Sequence, residues 1–138
     1  METELNPRLS AFEEALLDSL LAGDHPVLLK LREQRALATC VSRELSGAGF
    51  FLTFSLPESA GPIEPGRFIL GDVLFDLKGL DHGGGALLFI RGGKIEMLEA
   101  YCNGVGWPRD TSDFSIFYDT GPQRDVAMIM SAALSQAS

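Results

Sequence analysis

Gly79 to Ile90 reads Gly-Leu-Asp-His-Gly-Gly-Gly-Ala-Leu-Leu-Phe-Ile, which places a histidine beside an aspartate and ahead of three glycines. His-Gly-Gly-Gly after a strand forms the oxyanion hole of some α/β-hydrolases, where backbone N–H groups meet a developing negative charge. That chemistry also needs a serine in Gly-x-Ser-x-Gly. The nearest stretch here, Glu44-Leu45-Ser46-Gly47-Ala48-Gly49, has Glu44 in the first glycine's place. The chain is also short for that fold, at 138 residues. A phosphate cradle would need the glycines to open a helix, but these lead into the strand-like Ala86-Leu87-Leu88-Phe89-Ile90. The stretch therefore reads as a tight turn between strands, with Asp81 accepting from the turn's own N–H groups. The alternative is a ligand or partner site that includes His82.

Other reactive types are scattered. Cys102 follows Tyr101 and invites pairing with His82, but no cysteine-enzyme signature surrounds it. Asp76, Asp81 and His82 are the nearest thing to a cation site, although acids along a strand are more often a solvated face; no cofactor or metal is expected. Trp107-Pro108, in a glycine-rich loop, is either a plug for the core or an anchor for a partner.

The elements that position these residues fall into two groups. Asn6 and Pro7 suit the start of a helix carrying Leu9, Phe12, Leu16, Leu17 and Leu20, and Gly23 suits its end. Asp24 and Pro26 suit the start of a second helix with Val27, Leu28 and Leu31 on its apolar side, fading near Arg35. After residue 36 the period becomes two. Phe50, Leu52, Phe54 and Leu56 alternate with Phe51, Thr53 and Ser55; Ser46 to Gly49 and Gly92-Gly93 mark hairpins; Phe114 to Tyr118 is a last strand. Helices followed by hairpin-linked strands predict an α+β fold, with two N-terminal helices packed on a mainly antiparallel sheet of five or six strands. One domain over 1–138 is expected: a helical pair at 1–36, the sheet at 37–119 and a C-terminal segment at 120–138, helical or frayed. Apolar residues on both faces of Phe50 to Phe54 and Ala86 to Ile90 predict central strands or a curved sheet.

Composition narrows the partners. Hydrophobic residues make up 46% and charged residues 22%, as in ordinary globular domains. A net charge of −8 disfavours nucleic acid and anionic membrane. The one basic stretch, Lys30, Arg32, Arg35 and Arg43, is interrupted by Glu33 and reads as a solvated helix face. Two cysteines, Cys40 and Cys102, make no disulfide framework. No signal peptide or membrane span is expected from the sequence, and a cytoplasmic location follows as the expectation.

Val41 to Pro57, Gly71-Asp72-Val73 and Gly79 to Pro108 together resemble a family of small uncharacterised bacterial cytosolic proteins. Its members carry Arg-Glu-Phe-Thr-Gly-x-Gly-Phe-Phe, then Gly-Leu-x-His-Gly-Ala-Gly, then Leu-Glu-Gly-Tyr with a closing Trp-Pro. The resemblance spans roughly residues 37 to 108. It implies a bacterial source and marks Arg43, Glu44, Gly49, His82, Gly83, Gly85, Glu99, Tyr101 and Trp107, but implies no reaction. Leu45-Ser46 replaces Phe-Thr, Gly84 replaces alanine, Ala100 replaces glycine and Cys102-Asn103 replaces Thr-Tyr, which weakens any catalytic use of Cys102. The leading expectation is a non-enzymatic module that binds another protein, like an immunity protein or regulator by analogy, with Arg43, Glu44, His82, Glu99, Tyr101 and Trp107 as candidate binding residues. The alternative is a small hydrolase or ligand-binding protein with a pocket near His82, Glu99 and Arg43. A homodimer is a third option.

Overall fold

The structure, a computed structural model, describes residues 2–104 and 106–136. Its elements are β1 (Glu2–Leu5), α1 (Ala11–Leu20), α2 (Pro26–Leu37), β2 (Thr39–Leu45), β3 (Gly49–Ser55), β4 (Phe68–Leu77), β5 (Gly84–Arg91), β6 (Lys94–Cys102), β7 (Phe114–Tyr118) and α3 (Val126–Ser135). The fold is α+β. Among the described residues there are seven strands in one antiparallel sheet, ordered β1-β2-β3-β6-β5-β4-β7, and three helices. The expected five or six strands are thus corrected to seven, and the C-terminal segment, read as helical or frayed, adds a third helix to the expected N-terminal pair. The additional strand is β1, short and polar, held by backbone pairing to β2 rather than by burial. The additional helix is α3, which buries Met130 and Ala133 and is capped by Asp125, whose side chain accepts from the Met128 N–H at 3.1 Å.

The start of α1 also differs from the sequence expectation. Ser10, not Asn6, is the N-cap: its hydroxyl accepts from the Glu13 N–H at 3.1 Å, and Glu13 accepts from the Ser10 N–H at 2.8 Å. This reciprocal box satisfies two helix-end donors. Asn6 takes a left-handed conformation and donates its N–H to Val41 O at 2.9 Å, which ends β1. At α2 the cap is His25 rather than Asp24, its Nδ1 accepting from the Val27 N–H at 3.1 Å. The basic stretch is not merely solvated. Arg32 donates to the carbonyls of Leu21 and Gly23 beyond the end of α1, and Arg35 bonds Glu14 and Asp18, so α2 is tied to α1.

The helices and the inward residues of the sheet form one core, in which Phe12, Leu16 and Leu20 meet Leu52, Phe75, Leu88 and Leu98. Gln34 of α2 is buried within it. Its Oε1 accepts from the Ile95 N–H at 3.0 Å, and its Nε2 donates to Gly93 O at 2.8 Å and Gly61 O at 3.0 Å, tying the β3–β4 connection to the Gly92-Gly93 hairpin. Both of those glycines have positive φ, as the two-residue turn requires. Gln34→Ala is expected to lower stability by about 2 kcal/mol, because the buried Ile95 N–H loses its acceptor and Gly93 O keeps only the Ile63 N–H of its two donors. An unchanged urea midpoint would contradict that account.

β7 pairs only with Val73 to Leu77, so the first half of β4 has an open edge. Gln136, just beyond α3, closes part of it: its side chain accepts from the Ile69 N–H at 3.1 Å and donates to Ile69 O at 3.3 Å. An edge covered in this way offers less template for unwanted strand pairing.

Candidate functional site

The triple glycine resolves into three different packing demands. Gly83 has φ of +61° and makes the turn into β5. Gly84 lies so close to Tyr101 O that an added Cβ would sit 1.9 Å from it. Gly85 lies beneath the Tyr101 ring, where a Cβ would meet the phenol oxygen at 2.4 Å. The turn reading accounts for the stretch. His82 is exposed, and its carbonyl accepts weakly from Asn103 Nδ2 at 3.5 Å. Asp81 makes no hydrogen bond among the described residues, so the turn does not rest on its side chain. His82, Asp81 and Cys102 share a small recess of about 180 Å³. Among the described residues, no group of three or more His, Cys, Asp or Glu side chains is placed to hold a metal ion.

Arg43 and Glu99 are not brought together. Arg43 pairs in register with the inward-facing Leu52, and it reaches the helix side of the sheet. There its Nε and Nη2 grip Glu13 at 2.8 and 2.5 Å, Nη1 meets Glu4 at 2.6 Å, and Nη2 also donates to Arg8 O at 2.9 Å. The Glu13 bonds hold its pKa above the ordinary arginine value. This guanidinium clamps β1 and α1 to β2, with four of its five N–H donors already engaged. Glu99 lies opposite Phe51 and Leu87 on the other face. The sheet itself separates the two, and His82 sits at the end of a turn. The pocket expected near these three residues is therefore absent as a shared space. Cys40 is no better placed for catalysis, since burial pushes its thiol pKa up and disfavours the thiolate.

Trp107 belongs to the core wall. Its ring stands nearly perpendicular to Phe50 and Phe75, with centroids 5.7 and 6.0 Å away, and 6.3 Å from Phe12. Its backbone N–H donates to Gly47 O at 3.2 Å, which fixes the loop against the β2–β3 turn. One side of the ring lines a cleft of about 610 Å³ between β1, the start of α1 and this loop, with Arg8, Arg43 and Arg109 around it. Asp110 turns away to accept from the Ser112 N–H and hydroxyl at 2.9 and 2.6 Å, bonds that lower its pKa.

The largest feature that the sequence reading did not locate is the outer face of the sheet. The helices pack on the inward face, and three cross-strand rows run over the other. One row is Leu5, Ser42, Thr53, Met97, Phe89 and Ile69; the next is Thr3, Glu44, Phe51, Glu99 and Leu87; the third is Gly49, Tyr101, Gly85, Leu74 and Phe117. Leu5 is 75% exposed and Ile69 36%. Six strand gaps and three rows make this face roughly 29 Å by 14 Å. Arg91, at its border, is paired with Glu96 at 3.3 Å and lies over the Phe89 ring. Glu44, Glu99 and the outward-facing Asp76 have no hydrogen-bond or ion-pair partner among the described residues. Glu44, Glu99 and Tyr101 thus share one surface, while Arg43, Trp107 and His82 lie elsewhere.

No helix among the described residues is long and apolar enough to cross a membrane. No protein-family model, no curated protein and no solved structure matches this chain.

Proposed function

We propose that the chain is a non-enzymatic, cytoplasmic binding module whose outer sheet face docks a partner protein presenting basic residues interspersed with apolar ones. The observation that carries this reading is the interleaving of Phe51, Leu87, Phe89, Met97 and Phe117 with the unpaired carboxylates of Glu44, Glu99 and Asp76. An antiparallel sheet with one solvated face ordinarily alternates apolar and polar residues. Here the outward positions also carry large apolar residues, and an apolar patch beyond what a monomer ordinarily exposes marks an interaction site. The charge selects the occupant. A second copy related by a two-fold axis would set this patch against itself and bring Glu44 and Glu99 towards the same acids. Basic side chains set among apolar ones on a different protein would instead pair with them and hasten encounter. The scattering of His82, Glu99 and Arg43 favours binding over catalysis. An immunity-like or regulatory role fits such a surface by analogy.

The test compares wild type with Glu44→Lys/Glu99→Lys as baits in lysate of the native host. The expected result is one stoichiometric partner with a basic surface, captured by wild type at low salt, and lost both with the variant and at 0.5 M salt, where the screening length falls to roughly 4 Å. The variant should unfold within a few degrees of wild type, since surface changes rarely exceed about 0.5 kcal/mol. Equal capture by both baits would sink the reading. So would a wild-type dimer in sedimentation equilibrium that the variant abolishes, because the face would then belong to a second copy.

A further inference from the structure

The cleft beside Trp107 lies on the helix side of the sheet, away from the outer face, and its chemistry is independent of any protein partner. Among the described residues, Arg32, Arg35, Arg43, Arg91 and Arg124 each hold a hydrogen bond or an ion pair. Among the described residues the guanidinium groups of Arg8, Arg67 and Arg109 hold none, and two of these three, those of Arg8 and Arg109, line this one cleft. Acids are present too, but Glu4 and Glu13 are engaged by Arg43, which leaves Glu2 against two free guanidinium groups. The floor is aromatic, with Phe12, Phe50 and Trp107 in mutual contact. The Trp107 indole N–H has no partner among the described residues and is not sealed from solvent, so it is a free donor on a ring that lines the cleft. The volume of about 610 Å³ falls in the range of small-molecule sites.

We infer that this cleft binds a small ligand carrying an oxyanion, carboxylate or phosphate, on a flat aromatic body. The guanidinium groups of Arg8 and Arg109 meet the oxyanion, for which their planar forks are suited, and the body lies against the half-buried Trp107 ring, which Phe12 and Phe50, 1% and 3% exposed, support from behind. Arg43 contributes by holding the wall, not by touching the ligand.

Trp107 is the chain's single tryptophan, so its indole N–H gives one resolved amide-type NMR signal that reports on the cleft directly. The probes are phenyl phosphate and 3-phenylpropanoate, with inorganic phosphate and benzyl alcohol as the halves of the chemistry. The expected result is a saturable shift of the indole signal with phenyl phosphate or 3-phenylpropanoate, and the tighter of the two names the head group. Arg8→Gln/Arg109→Gln should weaken that binding about tenfold or more while thermal unfolding stays near wild type. Three outcomes would overturn the inference: no saturable shift with either probe up to about 20 mM, far above the affinity expected of such contacts; unchanged affinity in the double variant; or a shift from benzyl alcohol or inorganic phosphate matching that of the complete probes.

Discussion

Replacing Arg124 by methionine is expected to destabilise the fold by about 3–5 kcal/mol, a large part of the roughly 5–15 kcal/mol available to a domain of this size. Arg124 and Asp72 form a buried ion pair, with side chains 4% and 3% exposed. The guanidinium bonds both Asp72 oxygens, at 2.9 and 2.7 Å, and Nη1 also donates to the carbonyls of Leu20 and Ala22 at 2.8 Å. Its Cζ lies over the Tyr118 ring, 5.4 Å from the centroid. One side chain therefore joins the end of α1, the irregular stretch of β4 and the segment leading to α3. Removal leaves the Asp72 carboxylate charged and unpaired in a dry site, where the desolvation cost has no offset. The pair itself need not be worth that much. Asp72→Leu/Arg124→Met should recover at least about 1.5 kcal/mol relative to Arg124→Met, because no orphaned charge remains. Urea unfolding of the four proteins in the cycle measures this. A single variant within about 1 kcal/mol of wild type, or a double variant no better than the single, would refute the account.

The central sheet was legible because its residues obey a period of two with little ambiguity. Phe50 and Leu52 point inward as their alternation predicts, and Gly92-Gly93 forms the expected hairpin. The edges were less legible. β1 has four residues and every one is exposed, so no burial pattern could announce it. Ser10 and Glu13 did carry a capping-box signal, but Asn6-Pro7 offered a competing start, and only the pairing of Glu4 with Arg43 decides that the chain is still a strand at that point. Arg124 was invisible as a core residue, because a lone arginine in a turn-rich stretch gives no sign that Asp72, 52 positions away, will be buried beside it.

Site legibility divides along the same line. The apolar character of both faces of β3 and β5 was visible, but burial on both sides explains it as readily as an uncovered face does. Which one holds depends on where the helices dock, and all of them dock on the Leu52 side. The sequence reading grouped Arg43 and Glu99 with His82 around one pocket. Strand register puts them on opposite faces: Arg43 opposes Leu52, and Glu99 opposes Leu52's outward-facing neighbour Phe51.

Trp107 has the second large expected effect, and two substitutions separate its two possible uses. Trp107→Ala should cost about 3 kcal/mol and lower the unfolding temperature by roughly 10 °C, since it removes a ring packed on Phe12, Phe50 and Phe75 and leaves a cavity beside the cleft. Loss of any binding in that variant would therefore say nothing specific about the indole. Trp107→Phe keeps most of the aromatic contact and should cost only about 1 kcal/mol, while deleting the free indole N–H. A phenylalanine variant that folds like wild type yet binds phenyl phosphate several-fold more weakly would give the indole N–H a role in recognition. Full binding by that variant would confine Trp107 to packing and leave recognition to Arg8 and Arg109. An alanine variant as stable as wild type would contradict the packing account itself, because three perpendicular or tilted aromatic contacts cannot be removed from the edge of this core without a cost well above the error of the measurement.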